Sequence, residues 1–242
     1  MAREIDLGSI MGPAGPKGEK GDPGATTADG VSYKDSNVEK ALDDLTKRMD
    51  DVQYTPIQIT SLSNNVNTAE MGSTVNTVVL SWGYNKKPKT AMLDGTGLDV
   101  NLRTKTIESA GIKASKTYTL AATDERDAKA TKTTAITFLN GVYYGVGTAA
   151  GDAINSDFVK GLTKTLSGSK GKTFTVNATE GKYIYYALPH RLGTPVFFVG
   201  GFEGGFALAK TFNYTNPSGY TESYDVYKSA NAGLGSTTVE AK

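Results

Sequence analysis

Glycine recurs at Gly12, Gly15, Gly18, Gly21 and Gly24, every third residue of the string GPAGPKGEKGDPG. This spacing limits the architecture more sharply than any other feature of the chain. Three polyproline II-like strands wound round one axis leave room there only for glycine. Pro13, Pro16 and Pro23 preset φ for that conformation. Lys17 precedes Glu19, and Lys20 precedes Asp22, each across one glycine. On staggered neighbouring strands those charges can pair. The alternative is a flexible Gly/Pro linker; the unbroken register and the matched charges favour a collagen-like triple helix over residues 12–25. At about 3 Å per residue it measures roughly 40 Å. Five triplets are too few to hold three strands unaided, so an adjacent element must trimerise.

Residues 26–53 supply one. After a polar linker comes SNVEKALDDLTKRMDDV. Ser36 followed by Glu39 reads as a capping box at a helix start. Val38, Leu42, Leu45, Met49 and Val52 then recur at alternating spacings of four and three, the seam of a short coiled coil. Asp43 with Lys47, and Asp44 with Arg48, are i,i+4 pairs on the exposed faces. A helix packed on a globular domain would show the same spacing. Beside a triple helix, however, a parallel homotrimer is the consistent reading, because both elements need chains in register.

Residues 1–11 cannot bury a core. Ile5, Leu7, Ile10 and Met11 are apolar with nothing local to pack against. They read as an anchor peptide that docks on another protein, or else as a disordered tail.

The rest of the chain carries strand signals. Segment 54–147 contains PIQIT, TVVLSW, TAMLD, YTLAATD and TAITFL, separated by turn signals that include Asp94-Gly95 and Asn140-Gly141. Two facing sheets would bury Val79, Leu80, Trp82, Leu93, Tyr118, Leu120, Ile136 and Phe138. This predicts an immunoglobulin-like β-sandwich. Segment 148–242 predicts a second β domain, rich in aromatics. In SYDVYKS, Tyr224, Val226 and Lys228 fall on one face, with Asp225 and Tyr227 on the other. VGGFEGGF predicts a wide turn or bulged hairpin, because its glycines permit positive φ. Phe202 and Glu203 within it, together with Tyr220, are candidate tip contacts. The fold class expected is therefore mainly β: an elongated parallel homotrimer with anchor, triple helix, coiled coil, sandwich and β tip.

Composition narrows the function. The 242 residues carry 26 basic and 25 acidic side chains, so no basic excess marks a nucleic-acid binder. There is no cysteine, hence no disulfide and no thiolate metal site. No apolar run is long enough to span a membrane, and the N-terminus lacks a secretory pattern. His190 is the sole histidine. It cannot build a His-based metal site, and no G-x-S-x-G elbow accompanies it. No catalytic residue and no cofactor is expected.

The order of anchor, collagen run, heptad helix and β modules resembles that of phage fibre and receptor-binding proteins. PIQIT and VNTVVLSWGYNKKPKTAMLDG are similar to β-sandwich modules of phage structural proteins. KYIYYALPHRLGTPVFFVGGFEGGF and GYTESYDVYKSANAGLGSTTV are similar to C-terminal modules of tail or fibre proteins. The resemblance implies a homotrimer made in a host cytoplasm and carried on the virion surface. Its N-terminus would attach to a tail, baseplate or capsid protein. Its tip would bind a host-surface glycan or protein without catalysis. A head fibre, a capsid decoration or a baseplate component with no receptor is the alternative. No family binding residue is specific enough to transfer.

Overall fold

The structure is a computed structural model that describes residues 15–19, 24, 27–34 and 36–242. It divides into two units, Met1–Thr55 and Pro56–Lys242. Of the described residues 50% are strand and 14% helix, so the protein is mainly β. The anchor residues Ile5, Leu7, Ile10 and Met11, and also Gly12 and Gly21, lie outside the described residues.

In the first unit, strands β1 (Ser32–Tyr33) and β2 (Ser36–Asn37) form a small hairpin, followed by helix α1 (Val38–Gln53). The helix cap differs from the expected one. Asn37, not Ser36, is the N-cap, and its side chain accepts from the Lys40 backbone N–H at 2.9 Å. Both residues belong to the hairpin, but the helix begins at Val38, which puts Asn37 and not Ser36 directly before its first turn. Asn37 meets the same chemical need one residue later.

The second unit continues with β3 (Ile59–Asn64), β4 (Thr68–Glu70), β5 (Val78–Tyr84), β6 (Thr90–Leu93), β7 (Thr96–Leu98), β8 (Thr104–Ile107), β9 (Lys116–Thr123) and β10 (Lys129–Gly147). Helix α2 (Ser156–Lys160) comes next. It is followed by β11 (Thr163–Ser167), β12 (Lys172–Ala178), β13 (Tyr183–Pro189), β14 (Phe197–Val199), β15 (Phe202–Glu203), β16 (Phe206–Thr215), β17 (Thr221–Ser229) and β18 (Gly235–Ala241).

The first module is a sandwich. One sheet has the order β3-β5-β8; the facing strands run β7-β6-β9-β10, with β4 added in parallel to β10. Ile59, Val78, Leu80 and Trp82 from the first sheet share one core with Leu93, Tyr118, Leu120, Ile136 and Phe138 from the second. Of the expected core positions, Val79 is the exception. Strand alternation places Val78, Leu80 and Trp82 inward and turns Val79 to the other face. Buried Asp124 ties the module together. It accepts from the backbone N–H groups of Arg126 and Ala128 in the β9–β10 turn and from Ile57 at the module's entry, and Lys86 pairs with it at 2.8 Å.

The second module has three layers. A four-stranded sheet, β12-β18-β14-β15, packs on one face of the strands β16-β17-β13-β10. Phe174, Ile184, Tyr186, Leu188, Phe197, Tyr227 and Val239 fill that interface. The opposite face carries Tyr143, Tyr185, Tyr214, Tyr224 and Val226, and is covered by Ile154 and by Val159 of α2. Strand β13 is thus buried on both sides, which explains its nearly unbroken apolar run. Tyr224 and Val226 share one core and Tyr227 lies in the other, as alternation predicts.

Strand β10 belongs to both modules. Its first half pairs with β9 and β4, and its second half pairs with β11 and β13. The core changes hands within it, between Phe138 and Val142. Asn140-Gly141, expected as a turn, is mid-strand instead. Asn140 is buried and donates its amide to Glu222. A Cβ on Gly141 would lie 2.6 Å from the Tyr143 ring. The glycine serves close packing rather than chain reversal.

Candidate functional site

Four sets of residues offer chemistry or contact: the apolar face of α1, the glycine-framed hairpin, the His190 cluster and the contacts between the two modules.

Helix α1 buries none of its residues within its own chain. Leu42, Leu45 and Met49 are about half exposed, at 52%, 50% and 53%, and Val52 is 87% exposed. Val38, at the helix start, is half-buried. A groove of about 530 Å³ runs between the β1–β2 hairpin and the helix, lined by Tyr33, Val38, Ala41, Leu42 and Leu45. Leu42, Leu45, Met49 and Val52 thus form an exposed apolar stripe along the helix. Upstream, a side chain at Gly15, Gly18 or Gly24 would meet nothing within 4 Å in the single chain. No packing inside one chain requires glycine there.

The VGGFEGGF string forms the β14–β15 hairpin. Val199 pairs with Phe202, and Gly200 and Gly201, at φ 58° and 90°, make the two-residue turn. Positive φ at both central positions is the hairpin turn that suits strand twist, and it favours glycine. Gly204 and Gly205 also have positive φ, at 108° and 78°. This framing leaves Phe202 81% exposed with Glu203 beside it.

Tyr220 is elsewhere. It is half-buried in the β16–β17 hairpin, while Phe202 and Glu203 lie just before the other end of the ten-residue strand β16. The structure brings Phe202 and Glu203 together and separates Tyr220 from them.

His190 follows β13, and its Nδ1 lies 2.9 Å from Asp225 Oδ2. Asp225 is buried, and its other oxygen accepts from Thr211 Oγ1 at 2.6 Å. Next to it, Arg191 Nε donates to Glu222 at 2.6 Å. Among the described residues no hydroxyl hydrogen-bonds to His190, and no group of three His, Cys, Asp or Glu could hold a metal ion. The cluster fastens the turn after β13 onto β17. Sequence reasoning missed it, because the partners lie more than thirty residues apart and carry no local signature.

A second network joins the modules. Glu70 of β4 pairs with Lys164 of β11 at 2.8 Å and accepts from Tyr143 Oη at 3.4 Å. Tyr214 donates to Tyr143 at 2.7 Å, and Tyr224 donates to the Gly141 carbonyl at 2.7 Å. Asn216 donates to the Met71 carbonyl. Burial, the largest influence on each, raises the Tyr143, Tyr186 and Tyr224 phenols well above their ordinary value; the neighbouring Tyr214 hydroxyl adds to this at Tyr143. Their hydroxyls make fixed hydrogen bonds within the module. Most of the dense tyrosines of the second module are thus core: Tyr185, Tyr186, Tyr214, Tyr224 and Tyr227 are all buried.

No protein-family model and no curated protein matches this chain. Among solved structures, the chain is similar to the N-terminal eight Ig domains of Down Syndrome Cell Adhesion Molecule, at 12% identity and a TM-score of 0.24, over 77% of this chain and 26% of that one. It is also similar to an alpha-L-rhamnosidase from Dictyoglumus thermophilum, at 11% identity and a TM-score of 0.24, over 78% and 25%. The chain spans about a quarter of each, and likeness at that level carries no functional argument. Among the described residues no helix is long and apolar enough to cross a membrane.

Proposed function

We propose that this chain is the subunit of a trimeric phage fibre. Residues 1–11 attach it to the particle, the glycine triplets and α1 align three parallel chains, and the two β modules are displayed outward. The observation that carries this reading is the open seam of α1. Leu42, Leu45, Met49 and Val52 repeat at heptad spacing, stay exposed in the single chain, and follow glycine triplets whose spacing suits a triple helix. Fully burying such a side chain is worth roughly 1.5–3 kcal/mol, so half-exposed ones still gain on association.

The first module is, on this reading, an immunoglobulin-like spacer. Its order fits: β3, β5 and β8 stand where strands A, B and E stand, and β6, β9 and β10 where C, F and G stand. The second module is the tip that meets a host-surface glycan or protein. Three copies on one stalk raise the avidity of a weak contact by orders of magnitude when geometry allows all three to engage. Burial of most second-module tyrosines favours a second reading, in which the fibre decorates the particle and binds no receptor.

One experiment separates the two. Labelled antibody against the N-terminal segment locates the chain on tail, baseplate or capsid. The purified chain is then added to host cells before infection. Saturable binding with reduced infection supports the receptor role. Virion labelling without binding supports decoration, and absence from the virion overturns both.

A further inference from the structure

A groove opens at the end of the second module that carries Phe202. Lys228, on β17, pairs in register with Ala207 of β16, and its ammonium sits 3.6 Å from the Tyr183 ring centroid. Together with Leu208 and Ser229 these residues line an open groove of about 280 Å³. Strand β16 is the edge of its sheet. The groove exists because β16 bulges between Leu208 and Lys210. The extra residue switches the faces of the strand. Phe206 packs toward one core, whereas Phe212 and Tyr214 pack toward the other. At the switch, Leu208 is left 53% exposed.

The hairpin and the groove share one end of the second module. Phe206 pairs with Ser229, and the Gly205 carbonyl accepts from Ala230 N–H at 2.9 Å. Parallel chains round a threefold axis place equal residues at equal height. A projecting group at one end of a module can reach a neighbour's receptor site when that site lies at the same end, as this groove does. Their chemistry also matches: an exposed phenylalanine beside a carboxylate faces an apolar trough containing an ammonium. Among the described residues Glu203 makes no salt bridge, and Lys228 has a ring but no carboxylate as partner.

Resting on the trimer reading above, we infer that the β14–β15 hairpin of each chain docks on the next copy of the same chain. Phe202 enters the groove beside Leu208 and Tyr183, and Glu203 pairs with Lys228. The contact is head-to-tail and closes on itself after three copies. The Gly-Gly pairs on either side of Phe202 let the hairpin reach across, since side chains there would restrict its backbone. The tip would then be a locked ring rather than three independent heads.

The chain has no cysteine, so a disulfide scan reads this contact without background. In the full-length Phe202→Cys/Ala207→Cys double variant, mild oxidation is expected to give covalently linked trimers on non-reducing gels, with neither single variant forming them. A band at single-chain mass only would overturn the inference. So would covalent dimers from Phe202→Cys alone, which would mean that the hairpins meet one another. Light scattering of the reduced double variant keeps the two readings apart. Trimer mass without cross-linking overturns the docking alone, whereas monomer mass overturns the trimer itself.

Discussion

A Cβ placed on Gly72 would lie 2.5 Å from the Cβ of Tyr220, closer than two carbons can approach. Gly72 belongs to the first module and Tyr220 to the β16–β17 hairpin of the second, and its φ of +87° is one that side chains rarely adopt. Gly72→Ala is therefore expected to destabilise the Pro56–Lys242 unit by about 1–3 kcal/mol. Urea unfolding of the variant measures it; an unchanged midpoint would show that the contact yields freely.

Tyr143 is the acceptor for Tyr214 and a donor to Glu70. Tyr143→Phe removes one oxygen and leaves the buried Tyr214 hydroxyl without its acceptor. The expected loss is roughly 1–3 kcal/mol. A Tyr143→Phe/Tyr214→Phe double variant should recover part of it, because no orphaned hydroxyl remains. If the double variant loses the sum of both single changes, the two hydroxyls act independently.

The raised tyrosines predict a specific pH response. Their phenols ionise above the ordinary value of 10.0 in the folded chain because burial disfavours the anion. The unfolded chain ionises first, near that ordinary value. The stabilising effect is thus complete below about pH 10 and is lost as pH rises through the folded values. The melting temperature should hold from about pH 8 to pH 10 and then fall. Tyrosinate absorbance should lag for the buried phenols until unfolding. Full titration of every tyrosine near 10 in a still-folded protein would contradict this.

The seam of α1 gives a stoichiometric test. The full chain is expected to scatter light as about three times its 25.5 kDa mass. Leu45→Lys puts a charge in the middle of the seam and should shift the population toward monomer, more strongly with rising temperature. Replacing exposed Lys47 by Ala, off the seam, should leave the trimer intact. A trimer indifferent to Leu45→Lys would place the association elsewhere.

Much of the fold is written in local pattern. The heptad spacing from Val38 to Val52 became an amphipathic helix, because 3.6-residue periodicity fixes which face is apolar. Gly200-Gly201 became a two-residue turn for reasons that reside in glycine itself. Other features depend on distant partners. Asn140-Gly141 has the composition of a turn, yet the ladder to β11 and the packing of Tyr143 keep it extended. The cap is Asn37 rather than Ser36 because the hairpin runs through both residues and the helix starts only at Val38. The candidate contact residues divide the same way. Phe202 and Glu203 stand out from their glycine frame, whereas the groove near Lys228 exists only through a bulge and a sheet edge that no short string announces. Tyr220 looks like its neighbours in composition, but it is half-buried with Gly72 close against it, a contact between distant residues that no local string shows.

Strand β10 has a consequence for exchange of parts. Its nineteen residues complete one module and begin the next without a break. A hybrid spliced at the visible border would cut a ladder on both sides and leave two open sheets. The second module cannot be transplanted alone; it travels with the first module as one cassette. The usable splice point lies upstream, where Thr55 meets Pro56.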